Sequence, residues 1–178
     1  ADDQEPGDTT KVWVKVANTP PRGLKVGINE TRPRVTSKVQ LAVLSAGSDD
    51  DGDAIFLDYE WRRNGVVVPL PKDRSFLSPG EAKKGEQWTV TVVSRDGEQS
   101  GDKASLGFTV VNTPPTAPAV VFVPEQPRSE QGFAVKVSGP SIDDDHDSLV
   151  YRYRWFVDGV KMAWPENKDR VAPGEIKK

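Results

Sequence analysis

The sequence has no cysteine, which excludes disulfides, thiol nucleophiles and cysteine-ligated zinc but leaves the compartment open. It has a single histidine, His146, so an imidazole metal site or a nucleophile–base pair would hang on one side chain. That histidine stands in an acidic run where the first of two similar segments has Gly52, a position that suits an exposed turn. No apolar run approaches the ~20 residues that cross a bilayer, and no charged-then-apolar leader opens the chain at Ala1. The expectation is therefore no transmembrane segment, and either a removed leader or a piece cut from a longer protein. No basic stripe offsets a net charge of −3, so the phosphate-neutralising footprint of a nucleic-acid binder is missing. Apolar spacing of 3.6 residues never persists for three turns, which argues against helices.

What is present is a repeat. The chain matches itself at an offset of 94 residues: Asn18-Thr19-Pro20-Pro21 returns as Asn112-Thr113-Pro114-Pro115. Asp49-Asp50-Asp51-Gly52-Asp53 returns as Asp143-Asp144-Asp145-His146-Asp147, Tyr59-Glu60-Trp61 as Tyr153-Arg154-Trp155, and Lys83-Lys84 as Lys177-Lys178. Val12-Trp13-Val14-Lys15-Val16 falls on Leu106-Gly107-Phe108-Thr109-Val110. This divides the chain into three: residues 1–19, the last strand of a preceding repeat plus a linker; 20–113, a complete repeat; and 114–178, a repeat lacking its final strands. Cleavage after paired lysines by a trypsin-like protease explains the missing strands, and so does a partner chain that donates them.

Period-two alternation predicts strands with one buried face. Val39, Leu41 and Val43 form one inward row, matched by Phe133, Val135 and Val137. Leu57, Tyr59 and Trp61 form another, matched by Tyr151, Tyr153 and Trp155, and Asn64-Gly65 and Asp158-Gly159 suit two-residue hairpin turns. Trp88, Val90 and Val92, then Leu106, Phe108 and Val110, continue the pattern. About seven short strands per repeat, separated by turn signals, predict an all-β fold of Greek-key β-sandwiches, with Trp61 and Trp155 in equivalent core positions. Proline after each final strand would end the ladder and stiffen the linker.

The proline-rich linker, the run Ser48-Asp-Asp-Asp-Gly-Asp53, then Tyr59-x-Trp61 and Asn64-Gly65, repeated as Asp143–Asp147, Tyr153–Trp155 and Asp158-Gly159, resembles bacterial tandem immunoglobulin-like repeats related to PKD-like and cadherin-like domains. The likeness spans nearly the whole chain. It implies a place in surface adhesins, stalks or accessory modules of secreted hydrolases, hence an extracellular or cell-surface location, and calcium at an acidic loop in some members.

From the residues themselves, Asp49, Asp51 and Asp53, and again Asp143, Asp145 and Asp147, recur at i, i+2 and i+4 before a strand. Three carboxylates could converge there on a structural Ca²⁺, or form a solvated acidic turn. An EF-hand fails: Ala54 occupies its glycine position and Arg154 its second-copy glutamate. Trp13, on the face opposite Val12, Val14 and Val16, and Trp164, beside Pro165, are the candidates for contact with a partner or a glycan. With no Cys, one His and no glycine-rich phosphate loop, no catalytic constellation emerges. The expected function is non-catalytic, structural or adhesive, with neighbouring repeats or another chain completing the C-terminal sandwich. The alternative is an accessory carbohydrate-binding module of a secreted hydrolase.

Overall fold

The computed structural model describes residues 8–128 and 130–176, and among these every regular element is a strand. One sheet has the order β1-β2-β5, from β1 (Lys25–Ile28), β2 (Val39–Ser45) and β5 (Phe76–Leu77). A second joins β3 (Phe56–Arg63), β4 (Val66–Val67), β6 (Gln87–Arg95) and β7 (Ser100–Thr109) in the order β4-β3-β6-β7. Further on, β8 (Ala119–Val123), β9 (Phe133–Gly139) and β12 (Arg170–Val171) form a sheet of order β12-β9-β8, while β10 (Phe156–Val157) and β11 (Val160–Lys161) form a hairpin. The chain is all-β, with its strands in several antiparallel sheets as a β-sandwich requires. No helix among the described residues is long and apolar enough to cross a membrane.

The chain divides into two compact units. The first comprises Ala1–Asn29, Gln40–Phe76 and Trp88–Gly107. Its centre is the β3–β6 ladder, where Tyr59 lies opposite Val92, Trp61 opposite Val90 and Arg63 opposite Trp88. Tyr59, Trp61, Trp88, Val90 and Val92 are buried, and alternate residues such as Glu60 and Arg62 are exposed, so the alternation read from the sequence is the alternation of faces. The rings of Trp61 and Trp88 meet edge to face at 6.3 Å, and the Trp61 indole N–H donates to the Arg74 carbonyl at 2.8 Å, which satisfies the one polar group this side chain brings inside. Leu41 continues the buried row of β2, but Val43 is 42% exposed, beyond the last point at which β2 has a neighbour on its β5 side.

Within the same unit the linker is fixed by a glycine. A Cβ on Gly101 would stand 1.9 Å from the Pro21 carbonyl oxygen, so only glycine lets β7 approach the linker this closely. Val12, Trp13, Val14 and Val16 lie outside any strand and are at least 80% exposed.

The second unit comprises Glu30–Val39, Leu77–Gln87 and Phe108–Lys178. Its β8–β9 ladder pairs Val120 with Val137 and Phe122 with Val135, and shifts register between Ala119 and Val120. These are the β1–β2 pairs Val26–Val43 and Ile28–Leu41, with the shift between Lys25 and Val26, moved on by 94 residues. The β10–β11 hairpin likewise repeats β3–β4 around Asp158-Gly159, with φ of 48° and 81°, where β3–β4 turns through Asn64-Gly65 at 49° and 82°. Positive φ at both central residues is the two-residue hairpin geometry the Asn-Gly and Asp-Gly pairs favour.

One expected element is missing: residues 150–155, the counterpart of most of β3, carry the alternating pattern but have no ladder partner among the described residues and are not a strand. Trp155 still donates its indole N–H to the carbonyl 13 residues on, that of Lys168, at 2.8 Å. It packs against Phe122, Phe133 and Trp164, yet remains half-buried where Trp61 is 1% exposed.

Candidate functional site: two acidic loops

Each acidic run folds on its first aspartate. Asp49 Oδ1 accepts the N–H groups of Asp51 at 2.9 Å and Asp53 at 3.3 Å, and its carbonyl accepts that of Gly52. Asp143 does the same for Asp145 at 2.9 Å, Asp147 at 3.2 Å and His146. An aspartate that binds backbone two residues on is ordinary turn chemistry, and it bends the loop until alternate side chains share one side. Gly52 and His146 both take positive φ, 81° and 62°, at the crest of the bend, and His146 is exposed.

The bend brings together the residues singled out in the sequence. Asp49, Asp51 and Asp53 each offer an oxygen within 4.8 Å of the others, as do Asp143, Asp145 and Asp147. Oxygens bound to Ca²⁺ at ~2.4 Å lie at most about twice that distance apart, so both sets fit a hard cation. In the first loop Asp49 Oδ2 is buried with no hydrogen-bond partner, an orphaned anionic oxygen that an ion would satisfy. Arg22 pairs with Asp50 at 2.8 Å, outside the triad, and no cation among the described residues pairs with Asp49, Asp51 or Asp53.

Both loops also grip the linker in front of their repeat. Thr19 N–H donates to Asp51 Oδ2 at 2.6 Å, and Thr113 N–H donates to Asp145 Oδ2. Asn18, one residue earlier, donates its amide to Asp96 Oδ2 at 2.8 Å, while Asp96 Oδ1 accepts Glu98 and Gln99 N–H. Those hydrogen bonds, first from Gln99 and then from Asn18, hold the Asp96 carboxyl below its ordinary pKa. A hollow of about 530 Å³ next to the first loop is lined by Val16, Asn18, Asp51 and Glu98 among others.

In the second loop Lys84 lies on Asp147, contacting both carboxylate oxygens, and on Asn112 Oδ1 at 3.2 Å. The hydrogen bond to Asp147 raises the lysine pKa, and the charges of Asp147, Asp145 and Asp143 raise it further. Asp96 and Lys84 were not among the residues singled out in the sequence. The recurrence of Asn-Thr and of Lys-Lys at the repeat spacing was the available signal, and it reads equally well as linker stiffness and as a cleavage site.

The two tryptophans differ. Trp13 is 89% exposed. Trp164 is half-buried, edge-on to Trp155 at 5.9 Å, with Lys168 Nζ 4.1 Å from its ring centre. No family model matches the chain, and no curated protein matches it.

Proposed function

We propose that this chain is a segment of a secreted or cell-surface protein built from tandem immunoglobulin-like, PKD-like Greek-key sandwiches, and that its role is structural or adhesive, without catalysis. One observation carries the reading: an acidic loop hydrogen-bonded to the linker that precedes it, made twice, by Thr19 with Asp51 and by Thr113 with Asp145. A module whose loop holds its own linker keeps the linker's last residue in one place on its surface, a property that suits a spacer or stalk. Calcium fits this role as a structural ion held by Asp49, Asp51 and Asp53, and by the second triad once Lys84 gives way. It would neutralise the converging carboxylates and tighten the loop on the linker. The test is the melting temperature of the chain in millimolar calcium chloride and in excess EDTA. A rise with calcium that Asp49→Asn abolishes is expected, and identical melting in both solutions removes calcium from the proposal.

Strand pairing with another polypeptide belongs to the same proposal. A groove of about 300 Å³ is lined by Val120, Phe122, Val135, Tyr153 and Trp155 among others. Tyr153 and Trp155 correspond to Tyr59 and Trp61 of the first repeat, which lie opposite Val92 and Val90 of β6. A partner strand would therefore present alternating large apolar residues, and sedimentation velocity would detect its addition.

A second reading rests on Trp13. An indole this exposed is suited to stacking on a sugar ring, as in an accessory carbohydrate-binding module of a secreted hydrolase. Glycan-array binding that Trp13→Ala abolishes would favour it, and an array with no bound glycan would discard it.

A further inference from the structure

Asparagine is followed by glycine once in the sequence, at Asn64-Gly65, the two central residues of the β3–β4 hairpin. Both are exposed, and a Cβ on Gly65 would meet nothing within 4 Å, so the crest of the turn has room to move. Their φ angles of 49° and 82° are those of a type I′ turn, in which ψ at the first central residue is about +30°. The other favoured hairpin turn, type II′, keeps φ positive at that residue but takes its ψ to about −120° and φ of the second residue to about −80°. Turning over the single peptide between Asn64 and Gly65 converts one into the other, and glycine accepts either sign of φ. That peptide lies inside the Arg63–Val66 ladder pair, so the flip breaks no ladder bond, and the Arg62 guanidinium on the Gly65 carbonyl sits beyond it. With ψ at about −120° the Gly65 nitrogen eclipses Asn64 Cβ across the Cα–C bond, which is the geometry in which it can close a five-membered ring on Cγ.

We infer that Asn64 is a site of spontaneous deamidation, reached by this peptide flip while the flanking strands stay paired. The Gly65 nitrogen, unhindered by a Cβ, attacks Asn64 Cγ: the N–Cγ bond forms, the Cγ–Nδ2 bond breaks, and Nδ2 leaves as ammonia with the proton from the glycine N–H. Solvent water then opens the resulting succinimide. Opening at Cγ gives an ordinary aspartyl linkage, which this turn accommodates, since Asp158-Gly159 holds the matching hairpin at φ of 48° and 81°. Opening at the main-chain carbonyl gives an isoaspartyl linkage, with one more backbone atom in a turn whose length sets the β3–β4 register. This chemistry is independent of the proposed structural role.

Incubation of the full chain in warm, mildly alkaline buffer, followed by peptide mapping with mass spectrometry, reads the rate of ammonia loss at each asparagine. Asn64 should react at least about tenfold faster than Asn18, Asn29, Asn112 and Asn167, none of which precedes glycine. A rate at Asn64 no greater than theirs overturns the site. The same incubation across urea concentrations below the unfolding transition tests the route. A rate that stays constant upholds the flip within a paired hairpin. A rate that climbs with urea means that the hairpin has to open first, and overturns the flip.

Discussion

The first repeat and the second use nearly the same pattern of residues and differ in how far that pattern becomes structure. Trp61 lies in an eight-residue strand with β6 beside it, and Trp155 lies in a segment with the same alternation and no strand. Their indole hydrogen bonds are alike, each to a carbonyl 13 residues on, so that local geometry is set by nearby sequence. Burial and ladder formation are not. Alternation states which face a strand would bury, but a strand exists only where backbone donors and acceptors find a neighbour.

The sharpest way to test this contrast is to truncate both tryptophans. Trp61→Ala removes a fully buried ring and should cost ~3–5 kcal/mol in a urea unfolding curve. Trp155→Ala, from half-buried surroundings, should cost about half as much. Equal losses would mean that the second repeat is as well packed as the first. Gly101→Ala comes next, because its new methyl meets the Pro21 carbonyl oxygen at 1.9 Å and forces β7 or the linker to move. A loss of about 1–3 kcal/mol is expected, measured by the same curve.

The hairpins provide a control in which the repeats should agree. Gly65→Ala and Gly159→Ala each place a side chain at φ near +80°, for about 1 kcal/mol apiece, and thermal melts should show similar shifts. A much smaller effect at Gly159 would show that the β10–β11 turn is not held in the folded chain.

The smallest effect concerns acid. Glu175 accepts hydrogen bonds from Lys168 at 2.6 Å and from Ala172 N–H at 2.6 Å, and the lysine first, then the backbone, holds its pKa below the ordinary value. A carboxyl with a depressed folded pKa contributes stability that is complete above its unfolded pKa and is lost as pH falls through the folded one. Glu175→Gln should therefore flatten the acid limb of the stability profile below the ordinary glutamate range and nowhere else, as melts across that range would show. An unchanged limb would assign the acid dependence to other carboxylates.

Much of this was legible in the residues. The rows of β2, β3, β6, β7 and β9, the Asn64-Gly65 and Asp158-Gly159 turns and the convergence of the two aspartate triads follow from alternation and short-range hydrogen bonding, which act within a few residues, whereas the rows at 12–16 and 151–155 alternate without becoming strands. The Thr19–Asp51 and Asn18–Asp96 bonds were not, since they join residues 32 and 78 positions apart, and nothing in a linker's composition states which loop will reach it. Lys84 was missed for the same reason. Its partner Asp147 is 63 residues away, and a lysine pair has several ordinary explanations. The exposure of Val43 also escaped the pattern, because a row of valines does not reveal where the neighbouring strand stops.

The grip of each loop on its linker is made through a main-chain N–H, at Thr19 and at Thr113. Every amino acid except proline brings that group, so at Thr19 the tether asks nothing of the side chain, while at Thr113 the buried hydroxyl adds a longer contact to Asp145. The prolines at 20 and 114, one step further on, mark how close the chain comes to losing it: a shift of the linker by a single residue would present the loop with a ring nitrogen that has no proton to give.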